Sequence, residues 1–300
     1  MLRGAANGVC MELAIQYPAD VLGSDPDVIR VFVQSAEEAG YRRFVLPEHV
    51  LGADPDRPGG WTGPYTYHQR WLEPFVTFGF LAAVTKRIEL MTGVLVLPQR
   101  QTVLVAKQAA QVDLLLGGRL VLGVGTGWNP VEYHGLGEDF SSRGRRLEEQ
   151  IVLLRMLWEE RVITFDGDFD QVDRAGINPL PTNLGVPIWM GGSGQLVLDR
   201  IGRMGDGWFP LLLKPDATAM GMERIREVAA AEGRAPFAIG LMCMVTETGN
   251  LGKQVEMAGR YKEVGATSLV LSVQSDPSLV TLGQHVEAFS RFAEAVHSAV

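Results

Sequence analysis

The chain has 300 residues, 46% of them hydrophobic and 21% charged, and a formal net charge of −8 at pH 7. This composition excludes global disorder and supplies enough apolar side chain for one large core. The acidic balance includes no basic stripe that would attract a phosphate backbone, so nucleic acid is not an expected partner.

Membrane insertion and secretion are not expected either. The longest apolar runs are about strand length or are broken by charge, which predicts no membrane-spanning segment. The opening MLRGAANGVC has one arginine but no sustained apolar core, so we interpret it as a short irregular end and not as a secretion signal. Two distant cysteines, Cys10 and Cys243, predict neither a disulfide framework nor a metal site, and a cytoplasmic location is the default expectation.

The first half of the chain alternates β-rich runs with helical stretches. A strand over 11–17 precedes a helix with Asp25 as N-cap, Pro26 at its first position and Gly40 as its stop. A helical period predicts the packing face of this helix. That face comprises Val28, Val31, Phe32, Ser35, Ala36 and Ala39. A second strand over 42–47 leads into a long loop over 50–72, which is rich in glycine, proline, tryptophan and tyrosine.

Four further elements are predicted before the middle of the chain. They are a helix over 74–85, a third strand over 88–97, a helix over 102–116 closed by Gly117 and Gly118, and a fourth strand over 119–123. Ser142 is expected to cap a helix that reaches residue 160. Alternation over 162–172 around Asp166 and Gly167 predicts a β-hairpin with a tight turn at positive φ.

The rest of the chain supplies four more strands, over 186–190, 207–211, 237–245 and 268–273, and helices over 195–204, 216–232, 251–264 and 279–299. The total is eight strands, each followed by a helix, and several are apolar throughout, as parallel strands buried on both faces are. This pattern predicts one (β/α)₈ TIM barrel over residues 1–300, with insertion loops after strand two and before strand five. A doubly wound open sheet is the alternative.

In such a barrel the active site lies at the carboxyl ends of the strands. Strand two ends in Pro47, Glu48 and His49. An imidazole there is a natural general acid or base near neutral pH, although a single histidine can equally be structural. Glu48 is expected to face the other side of the strand and to anchor a loop.

Two glycine-rich turns follow later strands. The turn GGSG at 191–194 joins a strand to a helix, so its N–H groups and the helix start suit a phosphate; a simple tight turn is the alternative. The segment GVGTGWN at 123–129 alternates glycines along a strand end. Either its backbone and Asn129 line a planar ring, or it forms a close-packed corner of the barrel.

The long loop after strand two carries Trp61, Tyr65, Tyr67 and Trp71. These aromatic side chains could cover an apolar substrate at the barrel mouth, or they could be ordinary packing for a long loop. We favour the lid, which points to an uncharged or weakly polar organic substrate.

Two stretches resemble the luciferase-like monooxygenase family of flavin- and deazaflavin-dependent barrel oxidoreductases. They are TGVLVLPQRQTVLVAKQAAQVDLLLGGRLVLGVGTGWNPVEY at 92–133 and PIWMGGSGQLVLDRIGRMGDGW at 187–208, and the likeness extends over nearly the whole chain. The resemblance implies a bacterial-luciferase-like barrel and a non-prolyl cis peptide at Gly93–Val94, in a bulge that backs the cofactor ring. It also implies a cofactor-binding set of Thr92, Gly93, Val94, Val96, Gly125, Gly127, Trp128, Asn129, Glu132, Gly191, Gly192, Ser193 and Gly194.

By the same resemblance, His49 occupies the position of the catalytic histidine in deazaflavin-dependent dehydrogenases. Trp128 stands where some members carry a glutamate, which puts a sugar-phosphate dehydrogenase mechanism in doubt. The resemblance favours the 8-hydroxy-5-deazaflavin coenzyme F420 over FMN and suggests a homodimer. The alternatives are an FMN-dependent monooxygenase, a non-catalytic flavin-binding protein, and a non-redox barrel, for which Lys214 gives thin support.

Overall fold

The computed structural model of the protein describes residues 11–236, 238–246, 249–274 and 276–300. The irregular end expected for residues 1–10, Cys10, and the expected start of the seventh strand at residue 237 lie outside the described residues.

The strands form one large parallel sheet and one small hairpin. In chain order they are β1 (Glu12–Gln16), β2 (Arg43–Leu46), β3 (Glu89–Thr92), β4 (Leu95–Val96), β5 (Leu120–Gly125), β6 (Ile163–Asp166), β7 (Gln171–Ala175), β8 (Ile188–Gly191), β9 (Gly207–Phe209), β10 (Gly240–Val245) and β11 (Ser268–Leu271). The large sheet has the order β3-β2-β1-β11-β10-β9-β8-β5-β4, and an additional pairing of β3 with β5 closes it.

Because β3 and β4 are the two halves of one interrupted strand, the closed sheet is an eight-stranded parallel barrel. The predicted (β/α)₈ fold is therefore confirmed, and the open-sheet alternative is wrong. Each predicted barrel strand is present within a few residues of its expected position, apart from the start of the seventh, which lies outside the described residues.

Helices surround the barrel. They are α1 (Ala19–Leu22), α2 (Pro26–Glu38), α3 (Pro74–Ala82), α4 (Thr102–Leu116), α5 (Pro130–Gly135), α6 (Arg143–Glu159), α7 (Gln195–Met204), α8 (Pro215–Ala231), α9 (Leu251–Glu263) and α10 (Leu282–Ala299), with a 3₁₀ helix at Leu97–Gln99. The short α1 and α5 were not predicted. In the part of the chain that the structure describes, no helix combines the length and apolar character that crossing a bilayer requires.

Local signals set several helix ends. The Asp25 carboxylate accepts hydrogen bonds from the N–H groups of Asp27 and Val28, at 2.9 and 3.2 Å, and so caps α2 as predicted. Gly117 ends α4 in the left-handed conformation, with φ of 65°. Ser142 occupies the N-cap position of α6, but its hydroxyl donates to the Asp139 carbonyl and makes no cap bond.

Two local predictions were right only in part. The buried face of α2 comprises Ile29, Phe32, Val33 and Ala36, so the predicted face is confirmed at Phe32 and Ala36, whereas the expected Val31 is 37% exposed. The predicted tight turn at Asp166 and Gly167 is a longer connection over 167–170, and Gly167 takes no positive φ.

The hairpin connection is instead held from outside. The carboxylate of Glu149, on α6, accepts the N–H groups of Asp168, Phe169 and Asp170 at 2.7–2.9 Å. A side chain from the preceding helix thus replaces the turn geometry that the local pattern suggested.

The interior of the barrel is filled by side chains that point inward from its strands. They are Ala14, Val45, Met91, Val121, Trp189, Phe209, Met242 and Val270. Room for the Trp189 indole comes from Gly207 and Gly240, where a Cβ atom would lie 2.1 and 2.5 Å from the ring. This inner core supports a cavity at the carboxyl ends of the strands.

Candidate active site

A cavity of about 460 Å³ opens at the carboxyl ends of the barrel strands. Its volume lies in the range of roughly 300–1,000 Å³ that is usual for small-molecule sites. Nine of the residues predicted for the site line it: His49, Gly93, Val94, Val96, Gly125, Gly127, Trp128, Gly191 and Gly192.

The floor of the cavity is the interrupted strand. We define the floor as residues 92–96 together with Gly125 and Gly127. Between β3 and β4, the Gly93–Val94 peptide bond is cis, as the resemblance implied. Val94 is half-buried: it packs against the inner core on one side and lines the cavity on the other.

The alternating glycines of β5 make room for this floor. A Cβ at Gly123 would lie 2.0 Å from the Thr92 carbonyl oxygen, and one at Gly125 would lie 2.7 Å from Val94 Cγ2. At Gly127, which has φ of 63°, a Cβ would lie 2.6 Å from Val96 Cγ1. The close-packed corner is therefore the physical reason for the glycines at 123, 125 and 127. Gly125 and Gly127 also border the cavity, so the two explanations offered for this segment are compatible.

Two predicted cofactor residues support the floor without lining the cavity. The Thr92 hydroxyl donates to the Gly123 carbonyl at 2.6 Å and ties β3 to β5. Asn129 caps α5 by accepting the N–H of Val131 at 3.0 Å, while its amide donates to the Leu51 carbonyl at 3.2 Å. Both side chains are buried.

His49 follows β2 on the cavity wall, and its Nδ1 lies 3.0 Å from Oε2 of Glu132. A carboxylate only accepts, so Nδ1 carries the proton of this bond and Nε2 is the nitrogen left for a ligand. Glu132 was predicted to border the cofactor ring. The structure places it behind His49, with its side chain only 1% exposed.

Glu132 also holds the chain that leaves the histidine. Its Oε1 accepts the N–H groups of Val50 and of Leu51, the latter at 3.1 Å. Burial favours a raised pKa for this carboxyl, but hydrogen bonding and attraction from His49 and the two N–H groups prevail and lower it. Glu132 is therefore ionised at neutral pH and can stabilise a protonated imidazole.

Aromatic side chains surround the histidine. We call residues 50–73 the aromatic loop; its Tyr65 and Trp71 line the cavity together with Trp128. Their ring centroids lie 5.6, 4.9 and 5.4 Å from that of His49. Trp61 packs on Trp128 at 5.9 Å and donates to the Tyr65 carbonyl, whereas Tyr67 is 59% exposed. Three of the four predicted loop aromatics therefore belong to one cluster.

Four further lining residues are polar and uncharged. They are Gln16, Thr246, Ser272 and Gln274, none of which was singled out in the sequence. Their signal was their position at the ends of β1, β10 and β11. Among the described lining residues Glu48 is the one acid, and Arg100 neutralises it at 2.5 Å.

The glycine-rich turn after β8 lies at the edge of the cavity. Gly191 and Gly192 line it, while Ser193 and Gly194 are exposed beside it. Gly194 is the N-cap of α7, whose first N–H groups have no partner within the helix. The turn therefore presents donors and the positive end of a helix dipole next to the cavity.

These parts fit a flat ligand that carries a phosphate. Gly125 and Gly191 flank Val94 and leave bare backbone beside it, the glycine turn suits an anion, and His49 stands at the side. Fold and site together define a (β/α)₈ barrel with a ligand cavity at the carboxyl ends of its strands. The chain belongs to the luciferase-like monooxygenase family, whose model matches residues 11–250.

Three similar proteins show the range of this likeness. An uncharacterized protein of Mycobacterium tuberculosis is 30% identical over 274 residues, which are 88% of this chain and 92% of that protein. An FMNH₂-dependent dimethylsulfone monooxygenase of Pseudomonas fluorescens is 34% identical over 155 residues, which are 50% of this chain and 42% of the enzyme. The structure of an F420-dependent secondary alcohol dehydrogenase with an F420–acetone adduct superposes with a TM-score of 0.80 at 17% identity, over 95% of this chain and 99% of that one. That likeness shows the fold, and these two enzymes use different cofactors, FMN and F420.

Proposed function

We propose that the protein is an oxidoreductase that binds a flavin-type cofactor, coenzyme F420 ahead of FMN, and transfers a hydride to or from a neutral organic substrate. The pair formed by His49 and Glu132 on the cavity wall carries this proposal. It gives the site a proton acceptor or donor within reach of a ligand, which hydride exchange between an alcohol and a carbonyl requires.

The cofactor would lie on the floor. Val94, Val96, Gly125 and Gly127 would contact the ring, and the turn at 191–194 would receive the phosphate. When bound, the cofactor supplies the hydride acceptor or donor, while the protein orients it. Thr92 and Asn129 would act indirectly, by fixing the backbone next to the ring.

His49 would exchange the proton through Nε2, because Nδ1 is engaged by Glu132. In oxidation of an alcohol, the Nε2 lone pair accepts the hydroxyl proton as the hydride leaves the carbon. The ionised Glu132 stabilises the imidazolium that results. In reduction of a carbonyl, the same imidazolium returns the proton.

The electrostatics of the cavity favour a neutral substrate. Arg100 pairs with Glu48, and Gln16, Gln274, Thr246 and Ser272 offer amides and hydroxyls instead of charges. A charged substrate group would lose its hydration there without a compensating partner. The aromatic cluster would cover the apolar part of the substrate.

An FMN-dependent monooxygenase is the second candidate, favoured by the identity with the dimethylsulfone monooxygenase. The two candidates differ in their use of oxygen. A monooxygenase inserts oxygen into its substrate when reduced FMN is supplied, whereas a hydride-transferring enzyme with the deazaflavin does not. Formation of an oxygenated product with each reduced cofactor therefore separates them.

Single-turnover reduction of bound F420 by a panel of secondary alcohols tests the proposal. We expect His49→Ala to lower the rate by on the order of 10²–10⁴-fold, because the general base is lost. Glu132→Gln should lower it less. Cofactor affinity should change little in either variant, since neither side chain belongs to the floor.

His68→Ala is the matched control, because His68 lies in the same loop region, is exposed and does not line the cavity. It should retain the wild-type rate. A near-normal rate in His49→Ala would leave that histidine with a structural role and remove the main support for hydride transfer.

A further inference from the structure

The residue before the histidine has a separate set of contacts. Glu48 is 5% exposed and lines the cavity, and its Oε1 accepts the N–H of Val96 at 3.1 Å. Val96 is in β4, the second half of the interrupted strand. Glu48 therefore holds the far end of the floor from the neighbouring strand.

Arg100 continues this set. One Nη2–H donates to Oε2 of Glu48 at 2.5 Å, and Nη1 donates to Oε1 of Glu73 at 3.0 Å. The Arg100 carbonyl oxygen accepts from the Gln150 amide at 2.9 Å, which fixes its backbone against α6. The Arg100 guanidinium thus joins two carboxylates, while the main chain of Arg100 is anchored to α6.

Glu73 connects the set to the aromatic loop. Its other oxygen, Oε2, accepts the N–H of Val76 at 2.7 Å and caps α3. Glu73 is the last residue of the aromatic loop and lies two positions after Trp71, which lines the cavity. The contacts therefore form a continuous path from the floor to the end of the loop.

We propose that Glu48 and Arg100 are positioning residues that fix the floor and the aromatic loop relative to each other. The surface that would hold the cofactor ring and the aromatic side chains that would cover the substrate are thereby kept in a constant arrangement. The inference extends the proposed function and assigns a role to two residues outside the histidine pair. It rests on the proposed function only for its cofactor readout.

Loss of Arg100 should disturb these contacts most, because it removes the positive charge beside the buried Glu48. Burial raises the pKa of the Glu48 carboxyl against the attraction of Arg100 and the hydrogen bond from Val96, and the nearby Glu73 raises it further. Without Arg100 an ionised Glu48 would be buried with no counter-charge. A raised pKa favours the protonated form in the folded protein. A variant without Arg100 should therefore become less stable as the pH rises and recover stability as the pH falls.

The first test is hydrogen–deuterium exchange on the full-length protein without cofactor. Arg100→Met should increase exchange in both the 92–97 segment and the 60–73 segment at pH 8. Arg200→Met is the control, because Arg200 is similarly buried, pairs with Glu148 at 3.0 Å and lies away from the cavity. Increased exchange in only one of the two segments, or an equal effect of Arg200→Met, would overturn the proposal.

The second test measures the affinity for F420 and FMN against pH by tryptophan quenching. Arg100→Met should bind at least tenfold more weakly than wild type at pH 8 and approach wild type as the pH falls, because Glu48 becomes neutral. Glu48→Gln/Arg100→Met should lose that pH dependence relative to wild type, which assigns it to Glu48. A loss of cofactor affinity in Arg100→Met that does not depend on pH, and that the double variant shares, would contradict the assigned role.

If Arg100→Met does not fold, Arg100→Lys takes its place. It keeps the charge but loses the fork that reaches both carboxylates, so both segments should show an intermediate increase in exchange. If wild type binds neither cofactor, the proposed function fails, while the exchange experiment still decides whether floor and loop are joined.

Discussion

The floor of the cavity and the aromatic loop are held by different kinds of contact. In the floor, the glycines at 123, 125 and 127 pack directly against Thr92, Val94 and Val96. The aromatic loop contains almost no regular structure; Glu132 holds its start, Glu73 holds its end, and its aromatic side chains pack on His49 and Trp128. Glycine backbone in close contact tolerates no added atom, whereas contacts made by loop side chains can change with those side chains.

This difference suggests that the floor and the aromatic loop serve different parts of the ligand. A floor fixed by the barrel suits the part of the ligand that relatives share, which is a flavin-type cofactor. A loop held mainly by its side chains suits the part that changes from one relative to another, which is the substrate. Variants in the two regions should therefore affect different measured quantities.

Gly123→Ala should have the largest effect. Its new Cβ would meet the Thr92 carbonyl at 2.0 Å, and this contact is with backbone that cannot rotate away. We expect the free energy of unfolding to fall by about 3 kcal/mol in denaturant titrations of the apoprotein. Gly79→Ala is the control, since that glycine lies in α3 with no atom within 4 Å of a new Cβ.

Gly79→Ala should instead stabilise the protein, by about 0.5–1 kcal/mol, because alanine loses less backbone entropy in a helix. Equal effects at the two positions would mean that close packing does not distinguish the floor.

Ser193→Asp should have the next largest effect, on cofactor affinity alone. A carboxylate beside the start of α7 would occupy and repel the expected phosphate position, so binding should weaken by roughly 10- to 100-fold, or 1.4–2.7 kcal/mol. The apoprotein should be slightly more stable, because the helix dipole favours an anion there. Ser193→Ala should change neither quantity much, and unchanged affinity in Ser193→Asp would remove the phosphate assignment.

Trp61→Ala should have the smallest effect and only on the substrate side. It removes the contact with Trp128 and the hydrogen bond to the Tyr65 carbonyl. With an alcohol that wild type oxidises, we expect KM to rise a few-fold while the cofactor Kd is unchanged. Tyr67→Ala, at an exposed position outside the cluster, should leave both constants alone. A large change in cofactor Kd in Trp61→Ala would contradict the separation of floor and loop.

Much of the fold could be predicted because its signals are local. The ends of α4 and α7 match the predicted 102–116 and 195–204, since the apolar period and the flanking glycines are local signals. The face of α2 was misjudged because Val31 is apolar, and neighbouring apolar residues on a short helix define its orientation poorly. The hairpin connection was misjudged because Glu149, from a separate helix, determines it.

The site was predictable only in part for the same reason. His49 was found from its position at a strand end. Its partner Glu132 is 83 positions away, and Arg100 is 52 positions from Glu48, so no local pattern could pair them. For the glycines of GVGTGWN, the sequence left two explanations open, and only the positions of Thr92, Val94 and Val96 supply the packing reason.

The most direct test of the central claim is equilibrium titration of the purified apoprotein with oxidised F420 and, separately, with FMN. Trp71 and Trp128 line the cavity, so tryptophan fluorescence should report binding. We expect saturable quenching, with tighter binding of F420 than of FMN. Tighter binding of FMN would favour the monooxygenase, and binding of neither would contradict the claim that this floor holds a flavin-type ring.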